Sequence, residues 1–317
     1  MSIAERYAEF AAREARGVSP AYERLAAAVA ADDGLLALLP DKQQPNLLFG
    51  VVRFLGGPVR DPAGFRAWTR AHWPAIEPQI RDRATQTNEA GRCAALLPVL
   101  AALPQPLALL EVGAAAGLCL YPDRYAYRYG EHSLGAGVPV LDCAANGLVP
   151  PTTRPRVVWR AGLDPHPLDV TDPADVAWLD ALIWPEHTYR RTRLREAAAV
   201  AAADPPLLIR GDLVDDLPAL AARAPAGATL VVLHTSVLYQ VPRPRREAFV
   251  KLVTALPGHW VANEAPDVLA HDGLPAPPDG ALYNVLALDG EPLAWTRSHG
   301  QALTWFGPTV ELSERGL

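Results

Sequence analysis

Ala108-Leu109-Leu110-Glu111-Val112-Gly113-Ala114-Ala115-Ala116-Gly117-Leu118 decides the fold. An apolar run ends on a carboxylate and passes at once into a loop of small residues. A strand that is apolar throughout is covered on both faces, as in a parallel sheet flanked by helices. Its C-terminal end opens toward the ligand crevice of such a sheet. Small residues there let a backbone and a ligand approach closely, and Glu111 can accept hydrogen bonds from that ligand.

Downstream, four more apolar runs end in polar residues: Val157 to Asp164, Leu207 to Asp212, Thr229 to His234 and His259 to Glu264. Helical stretches separate them. The alternation predicts an α/β fold with a doubly wound, mostly parallel sheet. Stronger alternation over Ala281–Leu288, Pro292–Thr296 and Gln301–Phe306, with a turn at Asp289-Gly290, predicts an antiparallel C-terminal edge.

Upstream, residues 1–104 read as all-helical, a lid or substrate region before a sheet domain over 105–317. Ser2 and Glu5 form a capping box, and Ser19-Pro20 and Asp61-Pro62 mark further helix starts. A long helix is expected from about 75 to 102, carrying the polar cluster Arg81 to Glu89. That cluster is either a solvated helix face or a surface that brings Asn88, Glu89 and Arg92 to the pocket.

An insertion at about 119–155 separates the first two core strands. Its Tyr121-Pro122-Asp123-Arg124-Tyr125-Ala126-Tyr127-Arg128-Tyr129-Gly130 is a helix end or half a hairpin, and serves surface packing or a planar or anionic ligand.

Composition narrows the function classes. The chain has 317 residues and a net charge of -6, which opposes a dedicated nucleic-acid binder. Only two of its 29 basic residues, Lys42 and Lys251, are lysine. Cys93, Cys119 and Cys143 lack metal-ligand spacing, so no metal site and a reducing, cytoplasmic setting are expected. The most apolar region, 94–120, is broken by three prolines and Glu111, so no membrane association is expected. A small-molecule substrate is the expected partner, with a protein partner or homo-oligomer left open.

Glu111, Asp164 and Asp212 stand at the ends of three runs, where a doubly wound sheet lines them along one edge. Acids so placed accept from ribose hydroxyls or an exocyclic amine, although an acid at a strand end also caps a following helix. Asp142, nearer to Glu111 in sequence, competes with Asp164 as the second acid; Asp164 ends the stronger strand. His234 can serve as a general base or can satisfy backbone at a strand end. Glu186-His187 pairs a carboxylate with an imidazole, and Glu264 caps the segment after the fifth run. Ser236 lacks the Gly-x-Ser-x-Gly surroundings of a hydrolase.

Glu111-Val112-Gly113-Ala114-Ala115-Ala116-Gly117 resembles the first motif of Rossmann-like S-adenosylmethionine (SAM) methyltransferases, acid-x-Gly-x-Gly-x-Gly. Gly162-Leu163-Asp164 resembles their ribose-binding acid, and Gly211-Asp212-Leu213 their adenine-contacting region. A wider similarity is to a bacterial domain-of-unknown-function family, number 2332, with a core of that type. It rests on Gln44 to Leu48, Thr85 to Cys93, Glu111 to Leu118, Asp123 to Tyr125, Arg160 to Asp164, Trp184 to His187 and Gly211 to Leu213.

The resemblance implies SAM as cofactor, held by Glu111, Gly113, Ala115, Gly117, Asp164, Asp212 and Leu213. Asn88, Glu89, Arg124, Glu186 and His234 are then the candidates on the acceptor side. Ala115 departs from the motif's central glycine. A left-handed backbone there costs alanine about 1 to 2 kcal/mol. The departure motivates two alternatives. One is a non-SAM enzyme of nucleophilic substitution or cyclisation, with Arg124 or Arg160 stabilising the leaving group. The other is a non-catalytic binding module.

Overall fold

The computed structural model describes residues 1–40 and 44–308. The chain folds into two compact units, one of residues 1–87 and 171–194, the other of 88–170 and 195–317. The boundary expected at residue 104 therefore falls inside the second unit, and a later segment joins the N-terminal helices in the first.

The first unit is helical. It comprises α1 (Ile3–Glu9), α2 (Pro20–Ala30), α3 (Asp33–Leu36), α4 (Pro45–Phe54), α5 (Pro62–Ala71), α6 (Trp73–Asp82) and, from the later segment, α8 (Pro173–Leu182) with the start of α9 (Thr188–Ala203). Caps form where expected: Ser2 and Glu5 exchange both bonds of the capping box, Ser19 accepts from the Tyr22 N–H, and Asp61 accepts from Gly64. The apolar α4 is buried, with Phe49 ringed by Tyr7, Phe10, Tyr22 and Phe65. Gly50 lets it approach α8, since a Cβ there would lie 2.8 Å from Leu182.

The expected helix over 75–102 is instead two helices. α6 ends at Asp82 and α7 (Cys93–Ala102) begins only at Cys93. Between them Asn88 and Glu89 bond to backbone rather than solvating a helix face, the competition that makes such residues poor helix interiors. Glu89 accepts from the Gly91 N–H, and Asn88 accepts from the Leu118 N–H.

The second unit is built on a nine-stranded sheet. In chain order its strands are β1 (Leu107–Val112), β5 (Ala144–Asn146), β6 (Val157–Asp164), β7 (Leu207–Arg210), β8 (Thr229–Thr235), β9 (His259–Glu264), β10 (Asn284–Leu288), β11 (Glu291–Thr296) and β12 (Ala302–Trp305). Their spatial order is β5-β12-β11-β10-β9-β8-β1-β6-β7. From β7 to β9 all neighbours are parallel; β9 to β12 are antiparallel, as expected from the C-terminal alternation. Every residue of β1 is buried.

α7 (Cys93–Ala102), α10 (Leu217–Ala221), α11 (Arg243–Val253) and the rest of α9 complete the unit. Phe249 and Val253 of α11 pack on Val232 and Trp260 in one apolar cluster.

The insertion forms a small sheet of its own, β3-β2-β4, from β2 (Ala126–Tyr129), β3 (His132–Leu134) and β4 (Val140–Asp142). The tyrosine-rich stretch is thus half a hairpin, turning at Gly130. Asp142 lies in β4 and is bonded to Arg128, whereas Asp164 ends the strand paired directly with β1. One further piece of the insertion, β5, leaves it to become the outermost strand, parallel to β12.

Candidate functional site

From β1 the chain crosses to β6 on one side, while from β8 it continues to β9 on the other. The boundary between β1 and β8 is therefore the topological switch point, where open α/β sheets form their crevice.

The loop after β1 alternates through the left-handed region, with φ of 70° at Gly113, 48° at Ala115 and 71° at Gly117. Ala115 thus keeps the backbone conformation of a glycine, at a cost of about 1 to 2 kcal/mol. Bonds on both sides hold it. Its N–H donates to Asp164 Oδ2 at 2.8 Å, its carbonyl accepts from the Leu168 N–H at 3.0 Å, and Gly113 donates to the Leu163 carbonyl at 2.8 Å. Asp164 Oδ1 accepts from the His166 N–H at 2.7 Å. Asn88 closes the loop's far end through Leu118 at 3.0 Å.

Glu111 is 2 % exposed and its Oε2 has no hydrogen-bond partner. Burial, reinforced by the neighbouring Cys119, pushes its carboxyl well above the usual range against the pull of Arg92. Arg92 is itself buried. It donates to the Thr235 carbonyl and hydroxyl at 3.0 and 3.1 Å and to the Ser298 carbonyl at 3.0 Å, fastening the end of β8 to the β11–β12 turn.

The end of β8 is equally constrained. His234 is fully buried; its Nδ1 lies 2.7 Å from Glu264 Oε1, and its Nε2 accepts from the Trp260 indole N–H at 2.9 Å. The indole can only donate, so the proton of the imidazole resides on Nδ1. Both ring nitrogens are occupied, and neither is left to take a substrate proton. Of the two roles open to His234, this is the geometry of a satisfied strand-end histidine. Glu264 Oε1 also accepts from the Val237 and Leu238 N–H groups at 2.8 and 3.2 Å, so the pair shapes the turn after β8.

At that turn Ser236 has φ of 53°, and its N–H donates to the Asn263 carbonyl at 2.9 Å. Its hydroxyl oxygen accepts from Asn284 Nδ2 at 2.8 Å. The loops after β1 and β8 meet closely: a Cβ on Gly113 would lie 2.5 Å from a methyl of Val237. Only Gly fits there without displacement.

The fold thus gathers Asn88, Glu111, Gly113, Ala115, Gly117 and Asp164 into one hydrogen-bonded loop system, with Glu89 beside it through the Cys119 thiol. Other candidates have partners outside that loop system. Asp212 follows the edge strand β7. Partial burial raises its carboxyl, but the N–H groups of Val214 and Asp215 and the Arg245 guanidinium hold it below the usual range. Leu213 packs into the apolar cluster. Arg124 is half exposed and faces Asp204 at 3.4 Å. Arg160 is tied to the Leu120 carbonyl and Asp123 and lies over the Tyr121 ring. Glu186 belongs to the first unit, where it accepts from the Ser19 hydroxyl at 2.6 Å and the Ala21 N–H at 3.0 Å at the start of α2.

Asn284 carries no signal in the sequence, because only the pairing of β10 with β9 brings it to Ser236. Among the described residues no three His, Cys, Asp or Glu side chains group to hold a metal, and no helix is long and apolar enough to cross a membrane.

No curated protein and no solved structure matches the chain. A family model described as an uncharacterized protein conserved in bacteria (DUF2332) matches residues 4–305, nearly the whole chain, and the chain belongs to that family.

Proposed function

We propose that the chain is a SAM-dependent methyltransferase acting on a small molecule, with its methyl donor in the crevice at the ends of β1, β6 and β8. One observation carries the reading. Among the described residues three non-glycines adopt a left-handed backbone: Asp289 in the β10–β11 hairpin, and Ala115 and Ser236 at the ends of the two strands that flank the switch point. Strain of this kind persists where the surroundings over-determine it, and it gathers at ligand sites. The five parallel strands, numbered along the chain, lie in the order 3-2-1-4-5, the order of doubly wound nucleotide-binding sheets.

The residues present fit such a donor. Glu111 Oε2, buried and unpartnered, suits a polar group of the donor that can share a hydrogen bond with it. Asp164 accepts from the Ala115 and His166 N–H groups and so stands, as a carboxylate, beside the loop that would cradle the donor. The Ala115 methyl is packed into protein, the residue being 3 % exposed, so the loop keeps a glycine-like path. SAM would supply an electrophilic methyl group on a sulfonium. The chain's own part is to fix the loop through Asp164 and Asn88, to exclude water around Glu111, and to orient the acceptor. With His234 occupied on both nitrogens, methyl transfer draws its rate from positioning rather than from proton abstraction by that imidazole.

Titration calorimetry with SAM and with S-adenosylhomocysteine tests this. Binding is expected, weakened about ten-fold or more by Asp164→Ala, which removes two buried acceptors, and unchanged by Asp142→Ala. Absence of heat at about 1 mM of either ligand would refute the donor assignment.

A further inference from the structure

The turn after β8 holds a hydroxyl whose hydrogen-bonding direction is fixed. Asn284 Nδ2 lies 2.8 Å from Ser236 Oγ and 3.4 Å from the Asn263 carbonyl oxygen. A carbonyl can only accept, so the amide's NH₂ group, and not its oxygen, faces both atoms. Ser236 Oγ is therefore an acceptor toward Asn284, and no residue among those described accepts its proton. Ser236 is half-buried at the switch point, while Asn284 is 6 % exposed.

An amide donating to a hydroxyl oxygen draws electron density from it. The oxygen becomes a poorer nucleophile and its O–H a better donor, the polarisation that runs along hydrogen-bond chains. No histidine stands ready to take the proton, since His234 is occupied at both nitrogens. The backbone at Ser236 is strained, and three bonds keep it so: its own N–H to Asn263 and the two N–H groups after it to Glu264. Such a hold maintains one hydroxyl position at the crevice.

We infer that Ser236, oriented by Asn284, is a substrate-binding donor that recognises an acceptor oxygen, a carboxylate or carbonyl, on the small molecule bound at the β1–β8 crevice. The inference rests on the reading of that crevice as the ligand site, and not on the identity of the methyl donor. Asn284 is a positioning residue: it touches Ser236 and sets the direction of its hydrogen bond.

Trifluoroacetate, an acceptor-only probe, is titrated into the full chain and followed by fluorine NMR, with and without S-adenosylhomocysteine. Trifluoroethylammonium, which only donates, is the control. Trifluoroacetate is expected to bind, and Ser236→Ala to weaken it about ten-fold, the loss of one hydrogen bond to a charged acceptor. Asn284→Asp preserves shape but reverses polarity, so that Ser236 donates to the new carboxylate. It is expected to abolish trifluoroacetate binding and to admit trifluoroethylammonium. Ser236→Gly, which removes hydroxyl and strain together, separates binding from folding: its thermal midpoint holds or rises while the probe is lost.

Three outcomes overturn the inference: no binding of trifluoroacetate, equal binding by all variants, or covalent labelling of Ser236 by phenylmethylsulfonyl fluoride. S-adenosylhomocysteine binding without Ser236-dependent trifluoroacetate binding defeats this inference alone. The opposite pattern defeats the donor assignment alone.

Discussion

Replacing Gly113 by alanine probes the close approach of the loops after β1 and β8. The new methyl would lie 2.5 and 2.7 Å from the two γ-carbons of Val237 and 3.2 Å from its Cβ, at a residue with φ of 70°. The left-handed backbone costs alanine about 1 to 2 kcal/mol. Forcing a methyl into occupied space adds about 1 to 3 kcal/mol. The stiffer unfolded chain returns about 0.4 to 1 kcal/mol. The net loss is about 1 to 4.5 kcal/mol, for a domain of this size a fall in midpoint of roughly 2 to 18 °C.

Val237→Ala removes both γ-carbons and leaves the 3.2 Å contact with Cβ. In the double variant only the backbone strain and that mild contact remain. The coupling energy between the two sites is therefore expected to be about 1 to 3 kcal/mol, favourable to the double variant. Urea and thermal unfolding of the four proteins measure it, with S-adenosylhomocysteine calorimetry as a second readout. A coupling below about 0.5 kcal/mol would show that the loops after β1 and β8 do not constrain one another, and would refute the steric origin of the loss.

Two further expectations concern buried charge. Burial raises the Glu111 carboxyl above its ordinary value of 4.5, so the folded chain favours the protonated form. That contribution is whole below the ordinary value and is lost as pH climbs through the raised one. The midpoint of the wild type should decline relative to Glu111→Gln as pH rises from the ordinary carboxylate range, and parallel curves would contradict the burial account. His234→Phe fills the imidazole's space but strands the Trp260 N–H and takes one of its three donors from Glu264 Oε1, costing about 1 to 3 kcal/mol. A variant with full stability but abolished activity would return His234 to the catalytic role.

The sheet was legible in the sequence because its signal is local. Each buried strand is an apolar run closed by a polar residue, and the motif at Glu111 announces its own turn. The competition between Asp142 and Asp164 was decided by strand strength, and β6 does lie beside β1 while Asp142 sits in the small sheet. The break in the 75–102 helix was not legible, because Asn88 finds its backbone partner at Leu118, 30 residues later. The same limit hid Asn284, whose partner Ser236 lies 48 residues earlier. His234 shows the other side: its place at a strand end was readable, but the two neighbours that occupy its ring come from β9.

Three residues of the insertion, Ala144 to Asn146, close the far side of the sheet by pairing with β12, more than 150 residues later in the chain. Sequence neighbours of the first core strand therefore wait for the last one before their own backbone groups are satisfied. So distant a pairing is slow to form, because the intervening loop must close before any contact rewards it. Until it forms, β12 presents an open edge on which another chain can add a strand. A chain cut short before Ala302 would carry that liability permanently on β11, and its failure would be seen as aggregation during synthesis rather than as a lower melting point.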